Sequence, residues 1–337
     1  MKRPRIGLLS KKRGNFALQE KYVGQERVAD TTSAEVEHHR QSLEEAGYPV
    51  RVIPWGPSII QHLMEAEIDL VFNVSSLVEA AILEELGIPY VGSNPFTISL
   101  ATDKSLAKRM WQHAGLSTSP FIVAQRPADC EPFRDAPPFP YPLFIKPVAG
   151  RGSAGIDDHS VVWDYQQLVD GVSQRLRSIG QPVLVERFLQ GREITIGIVG
   201  NGQGARTLPM LEIRYAGDDL TLTFDKKERD DDLFLCPAPL GVDQAQAIRQ
   251  LAIRAYQALG FSDYGRIDTI LTEEGAFLLE GNTFAGLVCT PEEKPHSYIG
   301  VMARAEAKGG REHLDEIVQA ATSRLGMGDD SHDLPTS

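Results

Sequence analysis

The stretch GRIDTILTEEGAFLLEGNT, Gly265 to Thr283, holds residues whose types and spacing could do chemistry. If Glu273, Glu274 and Gly275 close a three-residue hairpin with Gly275 in the left-handed position, Asp268 falls opposite Glu280 and Arg266 opposite Asn282. Strand side chains alternate with period two, so all four share one face. Two carboxylates and an amide oxygen are hard oxygen donors, a set that suits Mg2+ bridging the phosphates of a nucleotide. Arg266 beside them would stabilise a developing phosphoryl or tetrahedral charge. The competing reading is a solvated hairpin with ordinary surface charges. The apolar character of TILT and AFLLE weighs against it, because unpaired charge in a packed hairpin would be costly.

A second stretch, IKPVAGRGSAGI (145–156), sets Gly150, Gly152 and Gly155 on a G-x-G-x-x-G spacing, with Asp170 twenty residues after Gly150. A dinucleotide loop needs a strand running into its first glycine and a helix opening at its last. Here Pro147 interrupts the approach, and IDDHSVVW reads as a turn returning into a strand. No Gly-Lys-Ser/Thr follows, which excludes a Walker A loop. What remains is a Gly/Ser loop between two strands: either a solvated connection, or an anion-binding concavity of backbone N–H groups with Lys146 as a point charge. An NAD-dependent oxidoreductase stays a rival, to be removed by failure to bind NAD.

The elements that would position these groups alternate in type. RIGLLS reads as a buried strand, Thr32 to Gly47 as a helix, YPVRVIPW and IDLVFNV as strands, LVEAAILEELG as a helix and IPYVGS as a short strand. That order predicts a parallel α/β domain over 1–98. A helix over Phe96–Gly115 carries Asp103, Lys104 and Lys108, and a Pro-rich link, RPADCEPFRDAPPFPYP, follows it. Strands PLFIKP and PVLVERFL, flanking VVWDYQQLVDGVSQRL, complete an α+β module over 99–190. Strands REITIGIVGN and ARTLPMLEI, a helix from Asp243 to Gly260, the hairpin and a helix from about His313 to Leu325 fill 191–326, and a disordered polar tail is expected over 327–337. There is no internal repeat.

The chain has 337 residues, 42% of them hydrophobic, enough for two or three domains with their own cores. A formal charge of −12 works against nucleic-acid binding, which depends on basic patches. The apolar run IGLL is too short for a signal peptide, and no stretch approaches a membrane span, so a cytoplasmic location is expected. Cys130, Cys236 and Cys289 are odd in number and widely spaced, which offers neither a disulfide framework nor a C-x-x-C site.

Taken together, VGSNP…DKSLAKRMWQHAGL (91–116), LFIKPVAGRGSAGI (143–156), VLVERFLQGREITIGIVG (183–200), FLCPAPL (234–240) and GRIDTILTEEGAFLLEGNTFAGL (265–287) resemble the ATP-grasp superfamily, and within it the D-alanine–D-alanine ligase group. The resemblance covers most of the chain in the family's order. It implies an ATP-grasp fold, α/β and α+β, with an N-terminal Rossmann-like (pre-ATP-grasp) α/β domain and ATP between the two following modules. It implies ATP and Mg2+ (or Mn2+) as cofactors, with Lys104, Lys146, Ser153, Glu186, Leu189, Glu193 and Lys226 as ATP-binding residues. Among these, Lys104, Lys146 and Lys226 would face phosphates, Glu186 and the Leu189 backbone the adenine edge, and Glu193 the ribose. Asp268, Glu280 and Asn282 match the family's metal ligands and Arg266 its catalytic arginine, while Gly286 and Ser297 are the candidates for substrate binding. The glycine loop would be the flap over the phosphates.

The implied reaction is amide formation through an acyl phosphate, with release of ADP and phosphate. The expected partners are a small-molecule carboxylate and an amine, with no nucleic acid and no membrane; a homodimer is compatible. The family's flap serine is Gly152 here, the tyrosine of its Lys-Tyr pair is Lys227, and its His-Gly loop is replaced by NVSSLVEAAILEEL. These departures point to a substrate pair other than two D-alanines. An authentic D-alanine–D-alanine ligase and an ATP-binding sensor without turnover stay open as alternatives.

Overall fold

The computed structural model describes residues 3–10, 33–73, 76–150, 155–214, 233–289 and 297–327. Strand β1 (Ile6–Ser10) leads to helix α1 (Ser33–Glu45), then β2 (Val50–Pro54), α2 (Ile59–Glu65), β3 (Leu70–Phe72), α3 (Leu77–Glu85) and β4 (Tyr90–Val91). These strands form one parallel sheet in the order β2-β1-β3-β4. Strands β1, β3 and β4 are buried and almost wholly apolar, as strands covered on both sides require, whereas the edge strand β2 leaves Arg51, Val52 and Pro54 exposed. Ile6, Leu8 and Phe72 pack with Val36 and Leu43 of α1, and Leu9, Ile53 and Val71 pack with Ile59 and Leu63 of α2 and Leu83 of α3.

Helices α4 (Pro95–Thr102) and α5 (Lys104–His113) divide the single helix expected over Phe96–Gly115. Asp103 between them is extended, at φ −84° and ψ 100°, and its carboxylate accepts from the N–H groups of Ser105 and Leu106. An aspartate that caps the second helix cannot also continue the first. Then follow β5 (Phe121–Ala124), β6 (Leu143–Pro147), β7 (Val161–Val162), α6 (Tyr165–Ile179) and β8 (Val183–Arg187), with the antiparallel order β5-β8-β6-β7. The Pro-rich link between β5 and β6 is not merely a tether: it holds a 3-10 turn over Pro127–Phe133, and Cys130, Phe133 and Phe139 are buried with Leu168 and Val172 of α6. After β6 the next strand is the antiparallel β7, and the described residues between them hold no helix, whereas a dinucleotide fingerprint leads from its strand into a helix and a parallel strand.

After a four-residue link from β8, strand β9 (Arg192–Val199) opens the third sheet; β10 (Arg206–Thr207), β11 (Leu211–Arg214), β12 (Leu233–Leu235), helix α7 (Val242–Ala258), β13 (Tyr264–Thr272) and β14 (Gly275–Asn282) follow. The order is β12-β11-β9-β13-β14, with β10 on β9. ARTLPMLEI, expected as one strand, is two; Pro209, which lacks the N–H a ladder needs, falls between them. Ile194, Ile196 and Ile198 alternate along β9 and are buried with Ile248 and Tyr256 of α7 and Trp111 of α5. Helix α8 (Tyr298–Ala305) did not stand out in the sequence, and α9 (Gly310–Arg324) begins before His313.

Helix α9 packs on the first sheet: Leu314, Ile317 and Val318 share a core with Ile6, Leu43 and Phe72. Asp263, buried in a left-handed conformation at φ 66°, fastens this junction. Its carboxylate accepts from the Gly92 N–H (2.8 Å), Asn201 Nδ2 (3.0 Å) and both Nε (2.9 Å) and NH2 (2.7 Å) of Arg324. Among the described residues the three cysteines are free, and no helix is long and apolar enough to cross a membrane. The tail expected to be disordered lies, from residue 328 on, outside the described residues.

Candidate functional site

On β13 and β14, Arg266 faces Asn282 and Asp268 faces Glu280. The loop differs from the expected three residues, since Thr272 pairs with Gly275 and only Glu273 and Glu274 turn the chain. That register alone would carry Glu280 to the opposite face, because a one-residue slip inverts every side chain. A bulge between Asp268 and Thr269 leaves Leu279 unpaired and restores the alignment. Pairing with β9 sets Thr195 opposite Asp268 and Glu193 opposite Ile270, so Glu193 and Thr195 join the same face.

Arg266 donates to both oxygens of Asp268, Nε to Oδ1 at 2.8 Å and NH2 to Oδ2 at 2.7 Å. Thr195 donates to Oδ1, and Asn282 Nδ2 to Oδ2 at 2.9 Å. The guanidinium also lies over the Tyr298 ring, 5.1 Å from its centroid. Burial opposes its charge, but Asp268 and Glu280 more than offset this and raise its pKa.

Helix α5 meets this face from across the cleft. Its buried side includes Ala107 and Trp111, and also Lys104 and Lys108, one turn apart. Lys104 Nζ donates to the Gly150 carbonyl at 2.9 Å and stands 3.7 Å from Glu280 Oε2. With Asn282 and Phe284 they line a cavity that Glu280, 34% exposed, enters from the hairpin. Burial lowers the Lys104 pKa against the pull of Glu280. Burial also opposes ionisation of Glu280, yet Lys104, Lys146 and Arg266 hold its carboxyl below the usual range.

The second sheet contributes Lys146 on β6 and Glu186 on β8, side chains that share one face because Phe144 pairs with Glu186 and Lys146 with Leu184. Lys146 Nζ is 2.7 Å from Glu186 Oε1, and Lys108 Nζ is 2.8 Å from Oε2. Burial alone would raise the Glu186 carboxyl, but these two cations hold it down at about 2. Burial works against Lys146 as well, and Glu186 and Glu280 lift it above an ordinary lysine. Four cations, Lys104, Lys108, Lys146 and Arg266, thus meet the carboxylates of Glu186, Asp268 and Glu280 in one cleft, with Glu193 close enough to act on Lys146.

The structure therefore brings together Lys104, Lys146, Glu186, Arg266, Asp268, Glu280 and Asn282, with Glu193 further along the face. Leu189 is buried in the link from β8 to β9, where Gly191 is required: a Cβ there would lie 2.3 Å from the Leu271 carbonyl oxygen. Gly286 and Ser297 also meet, the Ser297 hydroxyl donating to the Gly286 carbonyl and accepting from the Gly300 N–H at 3.1 Å as the cap of α8. Ser153 and Lys226 lie outside the described residues. Lys108 was visible in the sequence only as part of a helix; its signal was a lysine four residues after Lys104 and three before the buried Trp111. Thr195 carried no signal before the β9–β13 register was known.

The family model described as D-ala D-ala ligase C-terminus matches residues 110–291, over half of the chain. A D-alanine–D-alanine ligase of Bordetella petrii is 31% identical over 312 residues, 90% of this chain and 91% of that one. The chain belongs to the D-alanine–D-alanine ligase family. In fold it is similar to the D-alanine–D-alanine ligase of Bacillus anthracis complexed with ATP, with a TM-score of 0.72 and 19% identity across 97% of this chain and 100% of that one. The VanG D-Ala:D-Ser ligase of Enterococcus faecalis matches with a TM-score of 0.69 and 20% identity, over 95% and 100% of the two chains. Membership in this ATP-grasp family agrees with the α/β architecture of three sheets.

Proposed function

We propose that the cleft between the second and third sheets binds ATP and that the protein is an ADP-forming ligase joining a carboxylate to an amine. The observation that carries this reading is the approach of Lys104 and Lys146 to the Asp268–Glu280–Asn282 face beside Arg266. Lysine ammonium groups are point charges for phosphate, and the hairpin offers hard oxygen donors opposite them. Those donors fit Mg2+ or Mn2+: Glu280 opens into the cavity, and the Asn282 amide lies between the two carboxylates. When bound, the ion would neutralise charge between phosphates, held by Glu280, Asn282 and Asp268.

The acid's carboxylate oxygen attacks the γ-phosphorus, ADP departs, and the amine then displaces phosphate from the acyl phosphate to leave an amide. No side-chain nucleophile is needed; positioning and charge neutralisation carry the rate. Arg266, fixed in one orientation by Asp268, serves the developing negative charge. Glu186, Leu189 and Glu193 line the nucleotide side, Ser153 and Lys226 are its further contacts, and Gly286 and Ser297 face the amine substrate.

The substrate pair is proposed to differ from two D-alanines, on the strength of Gly152, Lys227 and the short connection from β3 to α3. The second reading, an authentic D-alanine–D-alanine ligase, is favoured by the nearly full-length match to the Bordetella petrii enzyme of that name. Incubation with ATP, Mg2+, D-alanine and a panel of acids and amines, read as ADP and product mass, separates the readings. ADP with an amide product from a mixed pair supports the first, D-alanyl-D-alanine from D-alanine alone the second. ATP binding without ADP release from any pair overturns both.

A further inference from the structure

Lys108 lies fully buried in the candidate nucleotide site. Its ammonium has three N–H groups, and three acceptors surround it: Thr118 Oγ1 at 2.7 Å, Ser119 Oγ at 3.0 Å and Glu186 Oε2 at 2.8 Å. The Thr118 hydroxyl in turn donates to the Leu278 carbonyl of β14 at 2.8 Å, and Ser119 donates to the same Glu186 Oε2 at 2.6 Å. Lys108 is saturated, and it is anchored to the second and third sheets at once. It has no N–H left for a phosphate.

Glu186 divides its two oxygens unequally. Oε2 takes Lys108 and Ser119, while Lys146 closes on Oε1. The ladder places Phe121 and Phe144 on either side of Glu186, and each ring has an ammonium above it, Lys108 Nζ at 5.9 Å from the first centroid and Lys146 Nζ at 5.5 Å from the second. A carboxylate this deeply buried is costly if left without a counter-ion. If Lys146 were its sole partner, turning that ammonium to a phosphate would strand the anion.

We infer that Lys108 is a positioning residue that neutralises Glu186 permanently, so that Lys146 can leave Oε1 for a nucleotide phosphate. The inference rests on the ATP reading of this cleft and adds a division of labour to it: one lysine fixed on the carboxylate, the other free to exchange. Oε1, vacated by Lys146, then becomes an acceptor for a donor group of the nucleotide. Ser119 assists by keeping Oε2 paired.

The test is ATP affinity by titration calorimetry in a four-protein cycle: wild type, Lys108→Met, Glu186→Gln and the double variant. Lys108→Met is expected to weaken ATP binding at least about tenfold when Glu186 is present, because Lys146 is then locked to the carboxylate. In the Glu186→Gln background the same substitution is expected to cost about twofold or less, since no anion is left to compensate. A packing role alone would weaken ATP equally in both backgrounds and would overturn the inference. So would a Lys108→Met protein that binds ATP like the wild type.

If Lys108→Met fails to fold, the comparison of Glu186→Gln with the double variant decides the matter: a loss of about tenfold there contradicts the inference, and near-equal affinities support it. Absence of ATP binding in the wild type would overturn the nucleotide reading itself and this inference with it, whereas absence of ligase turnover would leave the cycle readable.

Discussion

Arg266 and Asp268, two residues apart on one strand, form a two-pronged ion pair in which Nε and NH2 each hold a different carboxylate oxygen. The pair fixes the plane of the guanidinium, and Thr195 and Asn282 fix the carboxylate from its other sides. A lysine at 266 would keep the charge and lose the fork. Arg266→Lys is therefore expected to lower ADP release about 10²- to 10³-fold while ATP affinity changes little, measured by coupled assay and by titration. Equal turnover in both proteins would remove Arg266 from the reacting centre.

The Asp263 junction makes a stability prediction. Its carboxylate is buried and accepts four donors from three segments, Gly92, Asn201 and Arg324. Asp263→Ala removes the acceptor of the Gly92 N–H and leaves the half-buried Arg324 guanidinium only the Tyr90 carbonyl, and is expected to cost about 2–4 kcal/mol in urea unfolding. A loss under about 1 kcal/mol would mean that water replaces the carboxylate freely.

Gly300 tests the support of α8. A Cβ there would lie 1.9 Å from the Val288 carbonyl oxygen, a contact with backbone that no rotamer relieves. Gly300→Ala must push α8 away, and with it Ser297 and Tyr298, which stands over Arg266. The expected result is a fall of about 1–3 kcal/mol in stability together with reduced turnover. Unchanged thermal unfolding would show that the helix start shifts without cost.

Acid stability follows from two buried histidines. Burial holds His39 at about 3 and His313 at about 4, against an ordinary 6.5. The unfolded chain takes up protons that the native protein refuses, so stability is complete above pH ~6.5 and falls as pH drops through that value towards 4. The slope contributed is up to about 1.4 kcal/mol per pH unit for each histidine. The carboxylates in the candidate site add to acid loss only lower down: Glu186, held at about 2, weakens the fold as pH falls below its ordinary 4.5. His39→Leu with His313→Leu should flatten the profile between pH 6.5 and 5; a slope left intact there would assign it to other groups.

Much of the site was legible before its geometry was known, and its limits are informative. The hairpin pairs were expected correctly but for a different reason: a two-residue loop and a bulge at Asp268 together give the alignment that a three-residue loop would give alone. Period-two counting cannot separate those two solutions. The break between α4 and α5 was hidden because Asp103 has two roles, ending one helix as it caps the next. Lys108 was hidden for a stronger reason: a buried lysine reads as a surface one until Thr118, Ser119 and Glu186, distant in sequence, are seen around it. The order of strands and helices was plain because their apolar periods are strong; the short β5, α2 and α8 depend on tertiary packing more than on local pattern.

ATP binding in this cleft turns on the carboxylate of Glu280 meeting a metal-bound nucleotide opposite Lys104. The direct measurement is ATP affinity with and without Mg2+ in the wild type and in Glu280→Gln. The wild type is predicted to bind ATP at least about tenfold more tightly with Mg2+, and the variant to lose most of that gain. An equal response to Mg2+ in both proteins would contradict the placement of the metal and nucleotide on this hairpin.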